Sequence, residues 1–450
     1  MIRWLAAACA LALGACQSPV GPVGPDGVPA LAPGNCSVSD VQVVTSPGGV
    51  TAWLVEEDFV PTIAMEMAWR GGAAIEPEGK SGLGWLLGYM MNEGAGDLDT
   101  AAYGARMEDL SVDFGCGVGL DWTTCSFATL TATADESFEM LRLAFAAPRM
   151  DTEPFERAKR ELIVGQSEAE MDPRTQASRT MNEALIPSHA YARYPTAQSV
   201  SGATKDDVRK LMRQLMTKDR LIVVVVGDIS AEELKPRLDQ VFGALPRTAA
   251  LPAIADAVVK PAAGDPIVKA LPQSQTLVMF SGPGIKREDP DFYAAYLLNY
   301  VLGGGGLSSR LADEIREKRG LTYGVATGLS IQPHLWRWTG SSSTMNQTAG
   351  EVMRLVRENI ARLGREGPTE AEMLEAKAYI TGSFPLAFDS NSKIARNLLG
   401  FRQDGLGVSY VEERNAMFEA VTMADLKRVA AQYMKPENFT FVMVGQPRID

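Results

Sequence analysis

The sequence predicts an α+β protein built from two similar halves. Strand-like runs alternate with long helical stretches in both halves, and each half closes on a helix followed by a buried apolar strand. Those two strands end alike, Leu221-Ile-Val-Val-Val-Val at Gly227 and Phe439-Thr-Phe-Val-Met-Val at Gly445, which marks a duplication. The bulk composition agrees with a folded chain of 450 residues, 46% hydrophobic and 22% charged. A formal net charge of −12 excludes nucleic acid as a partner, because phosphate binding needs clustered Lys and Arg.

The first 16 residues read as a secretion signal. A single basic residue, Arg3, precedes an apolar run from Trp4 to Leu13 that is too short to span a bilayer. The run ends at Leu13-Gly14-Ala15-Cys16, which resembles a bacterial lipobox in which Cys16 becomes the lipidated first residue. An ordinary signal peptide with a coincidental cysteine is the alternative. Gln17 after the cysteine resembles the outer-membrane sorting pattern. Residues 17–40 are rich in Pro and Gly and read as an extended tether that holds a periplasmic body off the membrane.

The first half, 41–246, opens on strand-like runs at Val41, Thr51 and Thr62 to Trp69, ending at Arg70-Gly-Gly. A helix starts at Ser81, a plausible N-cap, and runs to about Asn92. A hairpin turning at Leu120-Asp121 would bring Cys116 opposite Cys125, either as a disulfide in an oxidising compartment or as two free apolar thiols. A strand from Ala128 to Ala134 follows, then helices at Glu136 to Phe145, Pro154 to Glu170, Arg174 to Leu185, Thr204 to Met216 and Ser230 to Phe242. An Ala- and Pro-rich linker, 247–266, leads to the second half, 267–450. Its strand Gln275 to Phe280 precedes a helix opened by Asp289-Pro290. Further helices are predicted at Leu307 to Lys318, Ala349 to Leu363, Thr369 to Ser383 and Met423 to Tyr433.

Two segments carry chemistry. The helix from Ser81 reads Ser-Gly-Leu-Gly-Trp-Leu-Leu-Gly-Tyr-Met-Met-Asn-Glu-Gly. In the second half, Leu302-Gly-Gly-Gly-Gly-Leu-Ser-Ser-Arg-Leu leads to Ile315-Arg-Glu-Lys-Arg-Gly-Leu-Thr-Tyr-Gly. Both resemble the insulinase/pitrilysin-type peptidase family, whose inverted motif H-x-x-E-H lies on such a helix in the N-terminal half. Two His at i and i+4 share one helical face and hold zinc, and the Glu beside them activates water.

In this chain the motif positions are Trp85, Gly88 and Tyr89, none of which binds zinc or acts as a carboxylate base. The family's third ligand, a Glu on the helix beginning at Pro154, falls by spacing on Gln166, with Glu161 and Glu168 as neighbours that could take its place. Only two histidines exist, His189 and His334, and His189 reads as a structural loop residue. No metal is therefore assigned to this chain.

The resemblance implies half of a peptidase clamshell. In the family's C-terminal half an Arg and a Tyr reach into the peptidase cleft, and they map onto Arg316 and Tyr323. The Tyr hydroxyl can donate to an oxyanion and the Arg can hold a substrate carbonyl or carboxylate. The plainer alternative is a solvated helix Arg beside the apolar stripe of Leu307, Leu311 and Ile315, with Tyr323 packed at the start of a strand and Gly320 closing the helix. Gly303, Gly304, Gly305 and Gly306 form no phosphate loop, since no Lys-Ser/Thr follows and G-x-G-x-x-G fails at Ser308. They stand where the non-catalytic subunit of mitochondrial processing peptidase has a longer, substrate-touching loop.

The resemblance thus implies a non-catalytic subunit of a heteromeric zinc metallopeptidase. Zinc and H-x-x-E-H would belong to a partner of the same family, and unfolded peptide would be the substrate. A peptide-binding or scaffold lipoprotein without a share in catalysis is the second reading. An unaided peptidase with a rearranged metal site is the third.

Overall fold

The computed structural model describes residues 20–23, 29–31, 40–260 and 264–449. The signal segment and Cys16 lie outside the described residues. Within the tether, β1 (Val20–Val23) and β2 (Pro29–Leu31) pair antiparallel, a short ribbon where an extended segment was expected. Among the described residues no helix is long and apolar enough to cross a membrane.

The first half runs β3 (Gln42–Thr45), β4 (Thr51–Glu56), β5 (Thr62–Arg70), α1 (Leu83–Met90), α2 (Thr100–Asp109), β6 (Asp113–Val118), β7 (Trp122–Leu130), α3 (Ala134–Ala146), α4 (Thr152–Ala169), α5 (Pro173–Leu185), α6 (Ala197–Ser201), α7 (Lys205–Leu215), β8 (Leu221–Gly227) and α8 (Ala231–Phe242). The second runs β9 (Ile267–Ala270), β10 (Gln275–Pro283), α9 (Phe292–Asn299), β11 (Thr322–Gln332), β12 (Leu335–Met345), α10 (Ala349–Glu366), α11 (Glu370–Gly382), α12 (Asn391–Gln403), α13 (Tyr410–Glu419), α14 (Met423–Tyr433) and β13 (Thr440–Gly445).

The duplication is visible strand by strand. The first sheet has the order β3-β4-β8-β5-β7-β6, and the second, read from its far edge, β9-β13-β10-β12-β11. The parallel pair β4/β8 matches the parallel pair β9/β13, and every other neighbour in both sheets is antiparallel. Strands β6 and β11 are therefore equivalent free edges. Inward residues of the first sheet, such as Met65, Met67 and Val225, meet helices α1, α3, α7 and α8 in one core. The second sheet packs Phe280, Trp338 and Phe441 against α9, α10 and α14 in another.

The opposite face of each sheet is covered by a helix from the other half. Ile394, Ala395 and Leu398 of α12 pack on Ala64, Ala68, Val224 and Val226 of the first sheet. Ala177, Met181 and Leu185 of α5 pack on Leu277, Val442 and Val444 of the second. Each fully buried Leu or Ile in these contacts contributes about 1.5–3 kcal/mol, so the exchange of helices locks the halves together.

Several boundaries differ from expectation. Ser81 does not cap α1. Gly82 does, at φ +108°, and its amide and that of Gly84 donate to the buried Glu76 carboxylate at 2.9 and 2.6 Å. Residues 128–130 end β7 rather than begin a new strand. Helix α9 is capped by Asp291, downstream of Asp289-Pro290. The stretch 307–318 is not one regular helix: Gly306–Ser308 winds as 3-10 and Ala312–Glu317 as π, with the Lys318 amide donating to Asp313 O at 3.0 Å.

Candidate functional site

Helix α1 leans so closely on β6 that a Cβ at Gly88 would fall 2.8 Å from Cys116 O, and one at Gly84 2.7 Å from the Val118 side chain. Neither position has room for a side chain unless the strand moves. The general-base position of the motif is thus closed by packing as well as by chemistry. One turn of helix brings Trp85 over Tyr89, with ring centroids 5.3 Å apart and planes 27° from parallel. The two rings line a cleft of about 620 Å³ between α1 and β6. Gly115 and Gly117 face open space along this strand, whose outer edge pairs with no other strand among the described residues.

Helix α4 supplies what stands opposite Tyr89. Glu153, Arg157 and Glu161 fall on one face at i, i+4 spacing. The Tyr89 hydroxyl donates to Glu161 Oε1 at 3.2 Å and accepts from Arg157 Nε at 3.3 Å. Arg157 also lies 2.7 Å from the buried Glu93 and 3.1 Å from Glu153. The Tyr89 hydroxyl and the Glu93 carboxylate hold its guanidinium above the ordinary arginine value. The cation at the motif helix is therefore the fixed charge of Arg157. Sequence reasoning missed it, although the three charged residues at helical spacing were the available signal.

Gln166, where spacing puts the third-ligand position, takes no part in this hydrogen-bond network. It lies farther along α4 and accepts from Arg179 Nη2 at 2.6 Å, so the α4 residue that reaches the motif helix is Glu161. Trp85, Gly88, Tyr89 and Glu161 together present a single carboxylate, which does not fit a zinc site of nitrogen and oxygen ligands. Among the described residues no group of three or more His, Cys, Asp or Glu stands close enough to hold a metal ion.

Cys116 and Cys125 face each other in the β6/β7 register with Cα atoms 4.1 Å apart and are joined as a disulfide. The two histidines meet across the halves. His189 lies 4.5 Å and His334 6.4 Å from Tyr191, centroid to centroid. His189 Nδ1 accepts from the Tyr191 amide, so its Nε2 donates to Ala255 O at 2.9 Å, which makes it a loop fastener.

In the second half, the turn between Arg316 and Tyr323 is closed by two backbone bonds. Gly320, at φ +63°, donates to Arg316 O at 2.9 Å, and the Leu321 amide donates to Ile315 O at 3.0 Å. Strand β11 begins there with a bulge between Thr322 and Val325, pinned by Thr322 Oγ1, which accepts from the Gly324 amide at 3.1 Å. Tyr323 stands in this bulge, 89% exposed. Arg316 lies 3.4 Å from Glu317 and is partly exposed. The alternative of a packed Tyr323 is thereby corrected, since its ring is not buried in the strand.

The glycine run takes a different place from the one expected. A Cβ at Gly303 would meet Thr327, at Gly304 Asn299 and at Gly305 the Tyr300 ring, all within 2.9 Å. Three of the four glycines therefore allow tight packing on β11 and α9, and only Gly306, at φ +59°, faces open space. Gly304 and Gly306 remain exposed, whereas Gly303 is buried.

A sequence profile described as the peptidase M16 inactive domain matches residues 202–380. The crystal structure of a peptidase M16 inactive domain from Pseudomonas fluorescens superposes with a TM-score of 0.83 at 26% identity, covering 91% of this chain and 98% of that one. The chain therefore resembles peptidase M16 proteins in both sequence and fold. The non-peptidase homolog YmxG of Helicobacter pylori is 21% identical over 398 residues, 88% of this chain and 91% of that protein. The periplasmic protease PqqL from Escherichia coli shares the fold, with a TM-score of 0.77 at 15% identity. This chain is covered to 91% but accounts for only 45% of that one. The inactive-domain description and the non-peptidase relative agree with the replaced motif on α1, where Trp85, Gly88 and Tyr89 offer no zinc ligand set.

Proposed function

We propose that this chain is the non-catalytic subunit of a two-subunit M16 peptidase and lends Arg316 and Tyr323 to the zinc site of a catalytic partner. The observation that carries the reading is Tyr323, a phenol displayed at 89% exposure on an edge strand beside a braced turn. Among the described residues no hydrogen bond engages this hydroxyl. Against a partner it donates to the oxyanion formed when water adds to a peptide carbonyl, and Arg316 holds a substrate carbonyl or carboxylate. Zinc, its ligands and the base belong to the partner. The size of PqqL supports pairing, since this chain corresponds to less than half of that protease. The segment ending at Cys16 supports an anchored place in the periplasm, with the lipid in the outer membrane.

Mixing tests this reading. The isolated chain is expected to hold no stoichiometric zinc and cleave no peptide, and turnover is expected when an H-x-x-E-H-bearing M16 subunit from the same envelope is added. Turnover by the partner that is indifferent to this chain would reject it. A second reading, peptide capture without catalysis, is favoured by the free edge of β6, where Gly115 and Gly117 leave room for an extended segment beside the Trp85 cleft. That reading expects peptide binding to the isolated chain and no effect on any peptidase.

A further inference from the structure

Helix α5 covers the second sheet over β13 and β10 but leaves a cavity of about 360 Å³ toward β12 and β11. Arg174 and Ser178 line it from the helix, and Ser281, Arg337, Thr339 and Ser341 from the strands. No Asp or Glu is among its lining residues, in a chain with 55 acidic residues against 43 basic ones. Two guanidinium groups and a set of hydroxyls thus share one space without a counter-charge.

Arg337 is the more buried of the two cations. Its Nη1 donates to Asn182 Oδ1 at 2.7 Å, and Asn182 in turn donates from Nδ2 to the Tyr194 hydroxyl at 2.8 Å, which fixes the amide. Its Nε has no partner, and neither has Ser281 Oγ. Among the described residues no carboxylate pairs with Arg337, whereas the similarly shielded Arg310 is matched by Glu372 through contacts of 2.6 and 2.8 Å. Burial pushes the Arg337 guanidinium below its usual value, and the Tyr194 phenol opposes that shift. A buried charge without a counter-ion is costly, and an anion entering the cavity would relieve that cost.

The same walls carry Met181, Met279 and Phe280. An apolar wall beside a guanidinium suits an acid group on a short hydrocarbon stem better than a bare inorganic ion. We propose that this cavity is a carboxylate-binding site, with Arg337 supplying charge from the sheet, Arg174 supplying it from α5, and the hydroxyls of Ser281 and Ser341 supplying further donors. The carboxylate is either a peptide carboxy-terminus or a small free organic acid. The site belongs to this chain alone and needs no partner subunit, so its failure would leave the pairing of subunits untouched.

The test uses the full chain without partner. Binding is measured calorimetrically for an acetylated Ala-Leu-Leu peptide with a free carboxy-terminus, for its amidated form, and for isovalerate. The acid peptide should bind at least about 10-fold more tightly than the amide, the difference made by a charged hydrogen bond. Arg337→Met should abolish that preference. Isovalerate binding that is lost in Arg337→Met supports the site with a free acid as its source. Equal binding of acid and amide peptides without isovalerate binding overturns the proposal, as does acid binding unchanged in Arg337→Met. Should that variant not fold, Arg174→Met on the exposed first turn of α5 is expected to weaken acid binding, and the acid–amide comparison in the native chain stands without any variant.

Discussion

The Arg157 guanidinium lies 2.7 Å from the Glu93 carboxylate, joining α4 to the end of the motif helix. Glu93 is 11% exposed at its side chain, and Glu153 and Glu161 gather around the same guanidinium. Arg157→Met keeps the aliphatic stem and removes the charge, leaving Glu93 shielded and unpaired. The expected outcome is a lower midpoint in urea unfolding. A variant as stable as the parent would mean that the network is ornamental and that α4 is held by its apolar face alone.

Gly88 offers a separate check on how the motif helix is seated. A Cβ there would lie 2.8 Å from Cys116 O on a strand tied to β7 by the disulfide, so neither side yields readily. Gly88→Ala should therefore destabilise by about 1–3 kcal/mol, against the gain of about 1 kcal/mol that this change gives in an open helix. A stability gain would show that the contact relaxes without cost.

What the residues disclosed in advance followed from local chemistry. The run Leu221 to Val226 reads as a buried strand because every position is apolar, and β8 is indeed covered on both faces. Helix α14 occupies Met423–Tyr433, as its spacing predicted. The replaced motif on α1 needed only residue identities. What stayed hidden depends on distant partners. Helix α12 has an unremarkable stripe of Ile394, Leu398 and Leu399, and nothing local says that it closes the sheet of the other half. Arg157 and Glu93 are 64 positions apart, so their pairing has no local trace. The π winding of Ala312–Glu317 likewise left no sign in a stripe that reads as an ordinary helix.

Tyr323 carries the prediction that divides the two functional readings. Its ring is almost free of the fold, so Tyr323→Phe should leave the melting temperature where it is. In the presence of the catalytic partner, turnover should fall about 100-fold through lost oxyanion stabilisation, with assembly unaltered. Retained turnover would remove the oxyanion role and leave peptide capture as the better account.

Glu66 gives the halves a pH-dependent contact. It points from β5 toward α12, almost buried, with Arg396 3.5 Å away. Burial pushes its pKa from 4.5 up to about 7, a shift that Arg396 opposes and Asp113 reinforces. The folded chain therefore keeps a proton that the unfolded chain releases between those values. The stability from this proton is complete below about pH 4.5 and is lost as pH rises through about 7. Glu66→Gln keeps the shape without the titration. It should match the parent near pH 4.5 and exceed it by about 1–3 kcal/mol at pH 8, in denaturant unfolding at both values. A variant weaker than the parent at pH 8 would mean that the ion pair with Arg396 outweighs burial, and that the helix exchange between the halves is tightened, not loosened, by alkali.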